Sequence, residues 1–538
     1  MDHLHHVLHD GTPYPMEGLL KKIQAWFLQK GRCQAFWGAF ISGLCCHLYA
    51  MTNMLPTSDW QYNFYKAQNM VMSGRWALEA ACRPSSNAIV PMVNGLLSLL
   101  YIALAAVFIV DLLELDRPLL ATLAGACMSI FPSAASTLAY IYTADGYTLA
   151  LLLAVLSAWC CLRWRKWFLG CIPAFLMLGY SMGIYQSFGS FTLLLFCLFL
   201  VLSLLRRMPS LQELFGTVMR MAITAGLGFI FYYIMMRYSL AHSGQRLTLY
   251  QGIDCLNNEV QFCLSGMIYQ FHLLSNARHF GLKFITQELP RLGGGVWGFR
   301  LVWAMYLLLA VFYVLAFILK KQWKKWYAPL VHLAVILVFP LGINYVQVIS
   351  PDVHYHMIMH YSAVLLFILV LCLAQILCDD KDTVMLVRKC VSVSSTVVCV
   401  LLLFYWVVIT NVGYTNMQYQ YQKSYANMIR LADRIEQSEG YADGAPVWIT
   451  EAVWPGEDTP IGDQSNFIGM EGIHQFDPYH YYMFLRHLIG TDIHLASYED
   501  FMDIVPTKEF QEMPLWPDTG SVKTINGVIV VKTGQVPY

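Results

Sequence analysis

The chain has 538 residues, of which 57% are hydrophobic and 13% charged, and its mean hydropathy is +0.50. Soluble domains contain about 45–50% apolar and about 25% charged residues, so this composition excludes an ordinary water-soluble protein and predicts an integral membrane protein. Lys plus Arg and Asp plus Glu each number 34, which removes any argument from net charge for nucleic acid as a partner. Most of the 15 cysteines lie in apolar runs without zinc-ligand spacing, so they are expected to act as small hydrophobic residues.

The N-terminal segment, residues 1–33, precedes the first long apolar run and lacks the pattern of a cleavable signal peptide. Between Gly18 and Arg32, apolar residues alternate with basic ones. This pattern is typical of a basic amphipathic helix that lies on the inner membrane surface. An ordinary extension of the first membrane span fits the same residues equally well.

Eleven apolar runs are long enough to be candidate membrane spans, since a helix needs roughly 20 mostly apolar residues to cross a ~30 Å hydrocarbon layer. They lie near 34–54, 89–111, 119–140, 145–162, 167–185, 188–205, 217–239, 299–319, 327–349, 357–378 and 390–412. Very short turns within 119–162 and within 167–205 predict tight helical hairpins. The predicted fold class is therefore α, a polytopic transmembrane bundle of about eleven spans over residues 34–412.

Lys and Arg are concentrated in alternate connections between these runs. The residues concerned are Lys21, Lys22, Lys30, Arg32, Arg163, Arg165, Lys166, Arg206, Arg207, Lys320, Lys321, Lys324, Lys325, Lys381, Arg388 and Lys389. Cytoplasmic loops carry an excess of basic residues, so the N-terminus is expected inside and the C-terminus outside the cytoplasm.

Three polar segments face outward under this topology: the loops 55–88 and 240–298, and the tail 413–538. The tail has a mixed pattern, with a helix predicted near 417–438 and a strand at 446–449. An Asn-Gly pair between two β-branched runs, 522–525 and 528–531, predicts a β-hairpin. A small extracytoplasmic α+β domain of about 100 residues is therefore expected at the C-terminus.

The first outer loop contains an acid and two arginines that could carry chemistry. Asp59 follows the first span by a few residues, where a carboxylate is well placed as a general base toward an outer hydroxyl. The alternative is a cap of a short loop helix. Arg75 and Arg83 could bind the phosphate of a lipid-linked substrate, because a guanidinium fits phosphate oxygens in pairs. Contact with interfacial lipid phosphates would explain both arginines as well.

Further candidate residues lie at the outer ends of later spans. Asp145 opens the fourth span and is a second acidic candidate, although the helix dipole alone favours an acid there. Trp60, Trp76, Tyr185 and Gln186 are predicted to line a substrate site, since aromatic rings and amides suit sugars.

Histidines crowd the outer turn near residue 354. His354 and His356 lie beside Asp352, but their spacing is a weak metal signal, and we expect hydrogen-bonding groups near a phosphate instead. The chain contains no P-loop and no strand-linked Gly-rich dinucleotide motif, which disfavours an ATP-driven transporter.

Together these motifs resemble the bacterial glucosyltransferases of the GtrII type. The resemblance is carried by Asp59 with Gly74-Arg75-Trp76, Ser129-Ile130-Phe131-Pro132, Asp145, Leu178 to Gln186, Met513 to Pro517, Gly520-Ser521-Val522 and Ile529 to Lys532. It implies a GT-C-type, inverting glycosyltransferase of the bacterial plasma membrane. Such an enzyme moves a hexose, here glucose, from a polyprenyl-phosphate donor to a surface polysaccharide or lipid-linked glycan such as O-antigen.

The resemblance also implies roles for individual residues. A carboxylate of the first outer loop acts at the acceptor hydroxyl in related enzymes, and this role falls on Asp59. Some GT-C enzymes use a divalent cation near the acidic loop, so Mg²⁺ or Mn²⁺ stays open as a cofactor. Two alternatives share the substrate class: an O-antigen-type polymerase or ligase, centred on Arg and His in loop 240–298, and a lipid-linked glycan flippase, expected to show repeated halves and ionisable residues mid-membrane.

Overall fold

The computed structural model describes residues 15–29, 31–57, 59–60, 69–164, 166–257, 264–353, 356–450, 470 and 478–534. Within them, nine helices are long and apolar enough to cross a membrane. Two further apolar helices, Phe168–Ile184 and Tyr327–Ile343, are shorter. Each of the eleven predicted runs contains one of these helices, which confirms a predominantly helical membrane protein. The count of eleven spans stays a prediction.

The helices are numbered here in chain order. They are α1 Pro15–Phe27, α2 Arg32–Thr52, α3 Leu78–Ala81, α4 Pro91–Leu112, α5 Pro118–Ile130, α6 Pro132–Ala139, α7 Ile141–Arg163, α8 Trp167–Ile184, α9 Gly189–Arg207, α10 Leu211–Ser243, α11 Leu264–Lys283, α12 Leu289–Arg291, α13 Val296–Leu319, α14 Tyr327–Ile343, α15 Val346–Ile349, α16 Val364–Asp379, α17 Met385–Glu436, α18 Pro478–Phe484, α19 Tyr498–Ile504 and α20 Lys508–Gln511.

The bundle has two ends. Its basic end carries the short connections at 28–31, 113–117, 164–166, 208–210, 320–326 and 380–384, and its loop end carries the long connections at 53–90 and 244–295. The second long connection is not a plain loop, because it contains the twenty-residue helix α11, which packs on α14.

Small residues let the bundle helices approach closely. A Cβ added at Gly125 of α5 would lie 2.1 Å from the Ala35 carbonyl oxygen of α2, and one at Gly38 would lie 2.4 Å from the Thr122 carbonyl oxygen. In a membrane, where lipid tails are as apolar as leucine, such backbone contact is a main source of helix association. The α2–α5 pair is therefore tightly packed.

The two predicted hairpins have short turns, but their helices diverge. Tyr140 alone separates α6 from α7, and Tyr185 separates α8 from the 3₁₀ turn Gln186–Phe188. However, α8 packs mainly along α7 and α10, whereas α9 packs along α7 and α14. Likewise, α5 packs mainly on α2, whereas α7 packs on α4 and α8. The prediction of side-by-side hairpins is therefore wrong, because the helices of each pair pack mainly on other helices. Both turns open into the loop end.

Ion pairs join the helices at the basic end. Arg32 of α2 donates to Asp111 of α4, with side chains 4% and 1% exposed, and Trp159 Nε1 donates to the other oxygen of Asp111 at 2.6 Å. Arg163 lies 3.6 Å from the same carboxylate. Arg32 and Arg163 thus both have an acidic partner on α4, so this end is held by charge as well as by packing.

The predicted amphipathic segment forms the separate helix α1. Gly31, with φ 70°, interrupts the helix between α1 and α2, and a Cβ there would lie 2.8 Å from the Leu115 carbonyl oxygen. The alternative of a continuous extension of the first span is therefore wrong. Trp26 packs against Phe108, with ring centroids 5.7 Å apart. Its placement on a membrane surface stays a prediction.

Helix α17 runs for 52 residues from the basic end, past the loop end, into the C-terminal region. The predicted span 390–412 and the predicted helix 417–438 are thus one continuous helix, and a domain boundary at 412 falls inside it. Asn411 donates to the Cys46 carbonyl at 3.1 Å, and the Tyr414 hydroxyl lies 2.9 Å from His47 Nδ1. These contacts tie α17 to α2 just before it enters the C-terminal region.

The C-terminal region contains a four-stranded sheet in the order β2-β1-β4-β3. The strands are β1 Ala445–Ile449, β2 Ile493–Leu495, β3 Val522–Ile525 and β4 Val528–Val531. Strand β1 is parallel to β2 and β4, and β3 pairs antiparallel with β4 around Asn526 and Gly527, both with positive φ. The hairpin and β1 are confirmed. Strand β2 was not predicted, since it is only three residues long.

Candidate active site

A cavity of about 440 Å³ opens at the loop end of the bundle. Five chain segments meet there: the first loop, the start of α7, the α8–α9 break, the loop after α10, and the stretch before α16. The lining residues are Asp59, Met70, Ser73, Arg75, Leu78, Tyr140, Tyr142, Thr143, Tyr147, Tyr185, Gln186, Tyr250, Gln251, Ile253, Val346, Ser350, Val353, His356, Ile358 and Met359.

Arg75 is positioned by a tight turn. Met70 and Arg75 form an isolated antiparallel bridge, and Gly74 between them has φ 71°. A Cβ at Gly74 would lie 2.7 Å from the Tyr232 hydroxyl and 2.9 Å from Gln186 Nε2, so the close approach requires glycine here. This turn places Arg75 in the cavity wall.

The Arg75 guanidinium is held among tyrosines. Its Nη1 donates to the Tyr147 hydroxyl at 3.1 Å, and its Cζ lies 4.4 Å from the centroid of the Tyr185 ring. The rings of Tyr147 and Tyr185 stack at 4.6 Å. Among the described residues, Arg75 Nε is buried with no hydrogen-bond partner. A fixed cation with spare hydrogen-bonding capacity is suited to an anionic ligand.

Asp59 is the acid of the cavity wall. Its carboxylate is open to the cavity, but enough protein surrounds it that desolvation raises its pKa above the ordinary aspartate value. Coulombic interactions with His480 and Arg75 act in the opposite direction and lower that pKa. His480 belongs to α18, so the C-terminal region contributes to the electrostatics of this acid.

The α8–α9 break places Tyr185 and Gln186 at the cavity. Gln186 Nε2 donates to the Ser73 carbonyl at 2.8 Å and to the Tyr232 hydroxyl at 3.1 Å, and the Gln186 backbone carbonyl accepts from the Tyr345 hydroxyl. The Gln186 amide nitrogen is therefore used to hold the Arg75 turn, while Tyr185 supplies the ring beneath the guanidinium.

His356 lines the cavity from the stretch before α16. Its Nδ1 accepts from the Ile358 backbone N–H at 3.3 Å, and Nε2 lies 3.3 Å from the Tyr140 hydroxyl. Burial, with a further contribution from Arg75, lowers the pKa of His356 to about 4. The ring is thus neutral at neutral pH and can act as a hydrogen-bonding group. His354 lies outside the described residues.

Asp145 lies behind the cavity wall. It is fully buried, and its Oδ1 accepts from Asn94 Nδ2 of α4 at 3.1 Å. The lining does not include it. Asn94 Oδ1 in turn accepts from the Val90 backbone N–H at 2.9 Å, which caps the start of α4. Asp145 therefore joins α7 to α4, and its predicted catalytic role stays a prediction.

The remaining predicted site residues that the structure describes, Arg83, Trp60 and Trp76, do not line the cavity. The Arg83 side chain is 70% exposed and lies 3.7 Å from Glu79. Trp60 is buried, and Trp76 packs on Tyr180 with ring centroids 5.1 Å apart. The part of the chain that the structure describes contains no group of three or more His, Cys, Asp or Glu able to hold a metal ion. Among the described residues, a divalent cation thus has no such ligand set.

A family comparison covers this region. The family model described as Glucosyl transferase GtrII matches residues 48–367, and every cavity-lining residue, from Asp59 to Met359, lies inside that range. The chain belongs to the GtrII glucosyltransferase family. With its apolar helices, this GtrII protein is a membrane glycosyltransferase. No curated protein and no solved structure matches the chain.

Several residues of the GtrII cavity were not found from the sequence. They are Tyr140, Tyr142, Tyr147, Tyr250 and Gln251. His480, which does not line the cavity but acts on Asp59, was missed as well. Tyr140, Tyr142 and Tyr147 were available as an aromatic cluster around Asp145, but interfacial anchoring explains such clusters equally well. His480 gave no signal, because it is more than 400 positions from Asp59 in the chain.

The polymerase alternative depends on Arg and His in the second loop. In the described part of that loop, the cavity is lined by Tyr250, Gln251 and Ile253, whereas Arg278 donates to the Leu337 carbonyl at 3.3 Å on α14. The family match and this placement both favour a glycosyltransferase over that alternative.

Proposed function

We propose that this GtrII protein transfers a hexose, glucose in the simplest case, from a polyprenyl-phosphate donor to a hydroxyl of an extracytoplasmic glycan, with inversion at the anomeric carbon. The observation that carries the proposal is a single cavity that holds both Asp59 and Arg75. Sugar transfer from a phosphate needs a base for the acceptor and a cation for the leaving group, and these two residues supply them.

Asp59 acts on the acceptor. Its carboxylate takes the proton of the acceptor hydroxyl as that oxygen forms a bond to the anomeric carbon. Its raised pKa supports this role, because a stronger base removes a proton more readily.

Arg75 acts on the donor. As the bond from the anomeric carbon to the phosphate oxygen breaks, negative charge grows on the leaving polyprenyl phosphate. The guanidinium, fixed by Tyr147 and Tyr185, stabilises that charge without having to reorient. His356 is proposed as a neutral hydrogen-bonding group near the same phosphate.

The membrane geometry of the reaction follows from the charge pattern. Basic residues concentrate at the end opposite the cavity, so the cavity faces away from the cytoplasm and both the first loop and the C-terminal region are outside. The proposed location is the bacterial plasma membrane, and the acceptor is a surface polysaccharide or lipid-linked glycan such as O-antigen. Attack from the face opposite the phosphate converts a β-linked donor into an α-linked product.

The test is transfer of label from radiolabelled polyprenyl-phosphate glucose to cell-envelope glycan by the purified protein in liposomes. Asp59→Asn is the test variant, and Asp254→Asn is its matched control, because Asp254 lies in the second loop but does not line the cavity. Label in glycan with the wild type and the control, but not with Asp59→Asn, supports the proposal. No transfer from any polyprenyl-phosphate sugar to several acceptors would refute it.

A further inference from the structure

Gln251 has an unusual backbone conformation for a residue with a long side chain. Its φ of 59° and ψ of 17° place it in the left-handed region, and Gly252 follows with φ 72°. Left-handed geometry is disfavoured for residues with a Cβ, and where it occurs it is held by its surroundings. At Gln251 these surroundings belong to the cavity described above.

Contacts from other segments hold this turn. The Ser350 hydroxyl donates to the Gln251 carbonyl. On one side of the turn, the Thr248 N–H donates to the Met72 carbonyl at 3.0 Å. On the other side, the Cys255 thiol donates to the Ile349 carbonyl at 3.1 Å. The turn is therefore tied both to the loop that carries Arg75 and to the segment that leads to His356.

Gly252 allows the turn to lie against that second segment. A Cβ at this position would be 2.9 Å from Asp352 Oδ2, closer than real side chains approach. The strained, left-handed Gln251 thus directly precedes a position that only glycine fits. A glycine at 251 would give the same backbone path without strain, so the backbone does not explain the glutamine.

The side-chain amide of Gln251 differs in its hydrogen bonding from that of Gln186, the other glutamine in the cavity wall. Gln186 uses its amide nitrogen on Ser73 and Tyr232. The half-buried Gln251 lines the same cavity, and its hydrogen bond to Ser350 uses the backbone carbonyl, so within the described chain its side-chain amide makes no hydrogen bond. An amide offers one acceptor and two donor positions, which is the combination that a sugar hydroxyl can satisfy.

We propose that Gln251 is a specificity-determining residue that hydrogen-bonds one hydroxyl of the donor hexose. This inference rests on the proposed function, since it concerns the sugar that the cavity holds. A site that hydrogen-bonds a substrate hydroxyl discriminates strongly against an analogue without it. Gln251 therefore makes the enzyme select for that hydroxyl, while the strained turn fixes where the amide lies.

The experiment compares kcat/KM for polyprenyl-phosphate glucose with the 2-, 3-, 4- and 6-deoxy donors, for the wild type and for Gln251→Gly. The substitution removes the amide and keeps the left-handed backbone. We expect the wild type to lose at least tenfold with one of the deoxy donors. In Gln251→Gly, that donor and glucose should react at rates within about twofold of each other, while the discrimination at other positions stays unchanged.

Asn526→Gly is the matched control, because Asn526 is also left-handed, with φ 51°, but lies in the β3–β4 turn away from the cavity lining. It should keep the wild-type pattern. Unchanged discrimination at every position in Gln251→Gly would overturn the inference while the proposed function stands. A wild type that transfers no sugar at all would refute both, so the two failures are distinguishable.

Discussion

The Arg75 guanidinium lies over the ring of Tyr185, with Cζ 4.4 Å from the ring centroid. The two residues come from different parts of the chain, one after a glycine turn in the first loop and the other from the break between α8 and α9. Their contact fixes a cation in the cavity wall beside Tyr147. This arrangement depends on a planar cation, so a substitution that keeps the charge but removes the planar group should disturb it.

Arg75→Lys is expected to raise the donor KM at least tenfold. Lysine keeps the charge, but it cannot stack flat on Tyr185 and donate to Tyr147 from one rigid group. The measurement is the donor KM from initial rates. Arg83→Lys is the control, since the Arg83 side chain is 70% exposed and should give a near-normal KM. Equal donor KM values for the two variants would show that Arg75 does not bind the donor phosphate.

Activity is expected to fall at low pH as Asp59 becomes protonated, because only the carboxylate can accept a proton. Desolvation raises its pKa, so the midpoint of this fall should lie above the ordinary aspartate pKa of about 3.9. His480 lowers the same pKa, and His480→Gln should therefore move the midpoint to higher pH. The pH profile of kcat/KM measures the shift.

The control for this shift is His494→Gln, since His494 is exposed on β2 in the same region. It should leave the profile in place. A profile that is unmoved by His480→Gln would show that the C-terminal region does not influence Asp59 in the working enzyme.

Gly74→Ala is expected to lower both the thermal unfolding midpoint and the activity. A left-handed alanine costs about 1–2 kcal/mol, and here its Cβ would also lie 2.7 Å from the Tyr232 hydroxyl. Gly244→Ala carries the left-handed cost alone, because nothing lies within 4 Å of its added Cβ. The difference between the two unfolding midpoints isolates the close approach. If the midpoints agree, Gly74 matters only for its φ angle.

Asp145→Asn is expected to keep kcat within about tenfold of the wild type, because Asp145 holds Asn94 behind the cavity and does not line it. A base taking part in proton transfer contributes about 10²–10⁴-fold, so a larger loss would restore a catalytic role. Asp145→Lys should instead yield little folded protein, since it places an unpaired charge at a fully buried position. Single-turnover rates and folded yield measure the two effects.

Asp111→Asn is expected to destabilise the bundle by roughly 3–5 kcal/mol, because it leaves the buried Arg32 without its counter-ion. The measurement is unfolding in detergent. Asp379→Asn removes the partner of Arg117, whose side chain is 43% exposed, and should change stability by no more than about 1 kcal/mol. Equal changes in stability for the two variants would mean that burial does not determine how much these ion pairs stabilise the bundle.

The sequence by itself determined the membrane-bundle class, the alternation of basic connections, the C-terminal hairpin and the family. Those features are local: an apolar run, a cluster of Lys and Arg, or an Asn-Gly pair has the same physical meaning wherever the chain later places it. For the same reason Asp59, Arg75, Tyr185, Gln186 and His356 could be selected from their positions in outer loops and turns or at the outer ends of spans, and all five line the cavity.

Only the tertiary structure decided which of the selected residues share a cavity. Asp145 and Arg83 were selected by the same kind of sequence argument, but neither lines the cavity. Asp145 accepts from Asn94 and joins α7 to α4, whereas Arg83 forms an exposed ion pair with Glu79. The approach of His480 to Asp59 and the strained turn at Gln251 depend on contacts between distant segments. No local pattern encodes these contacts, because they arise only when the helices pack and α17 brings the C-terminal region back over the loop end.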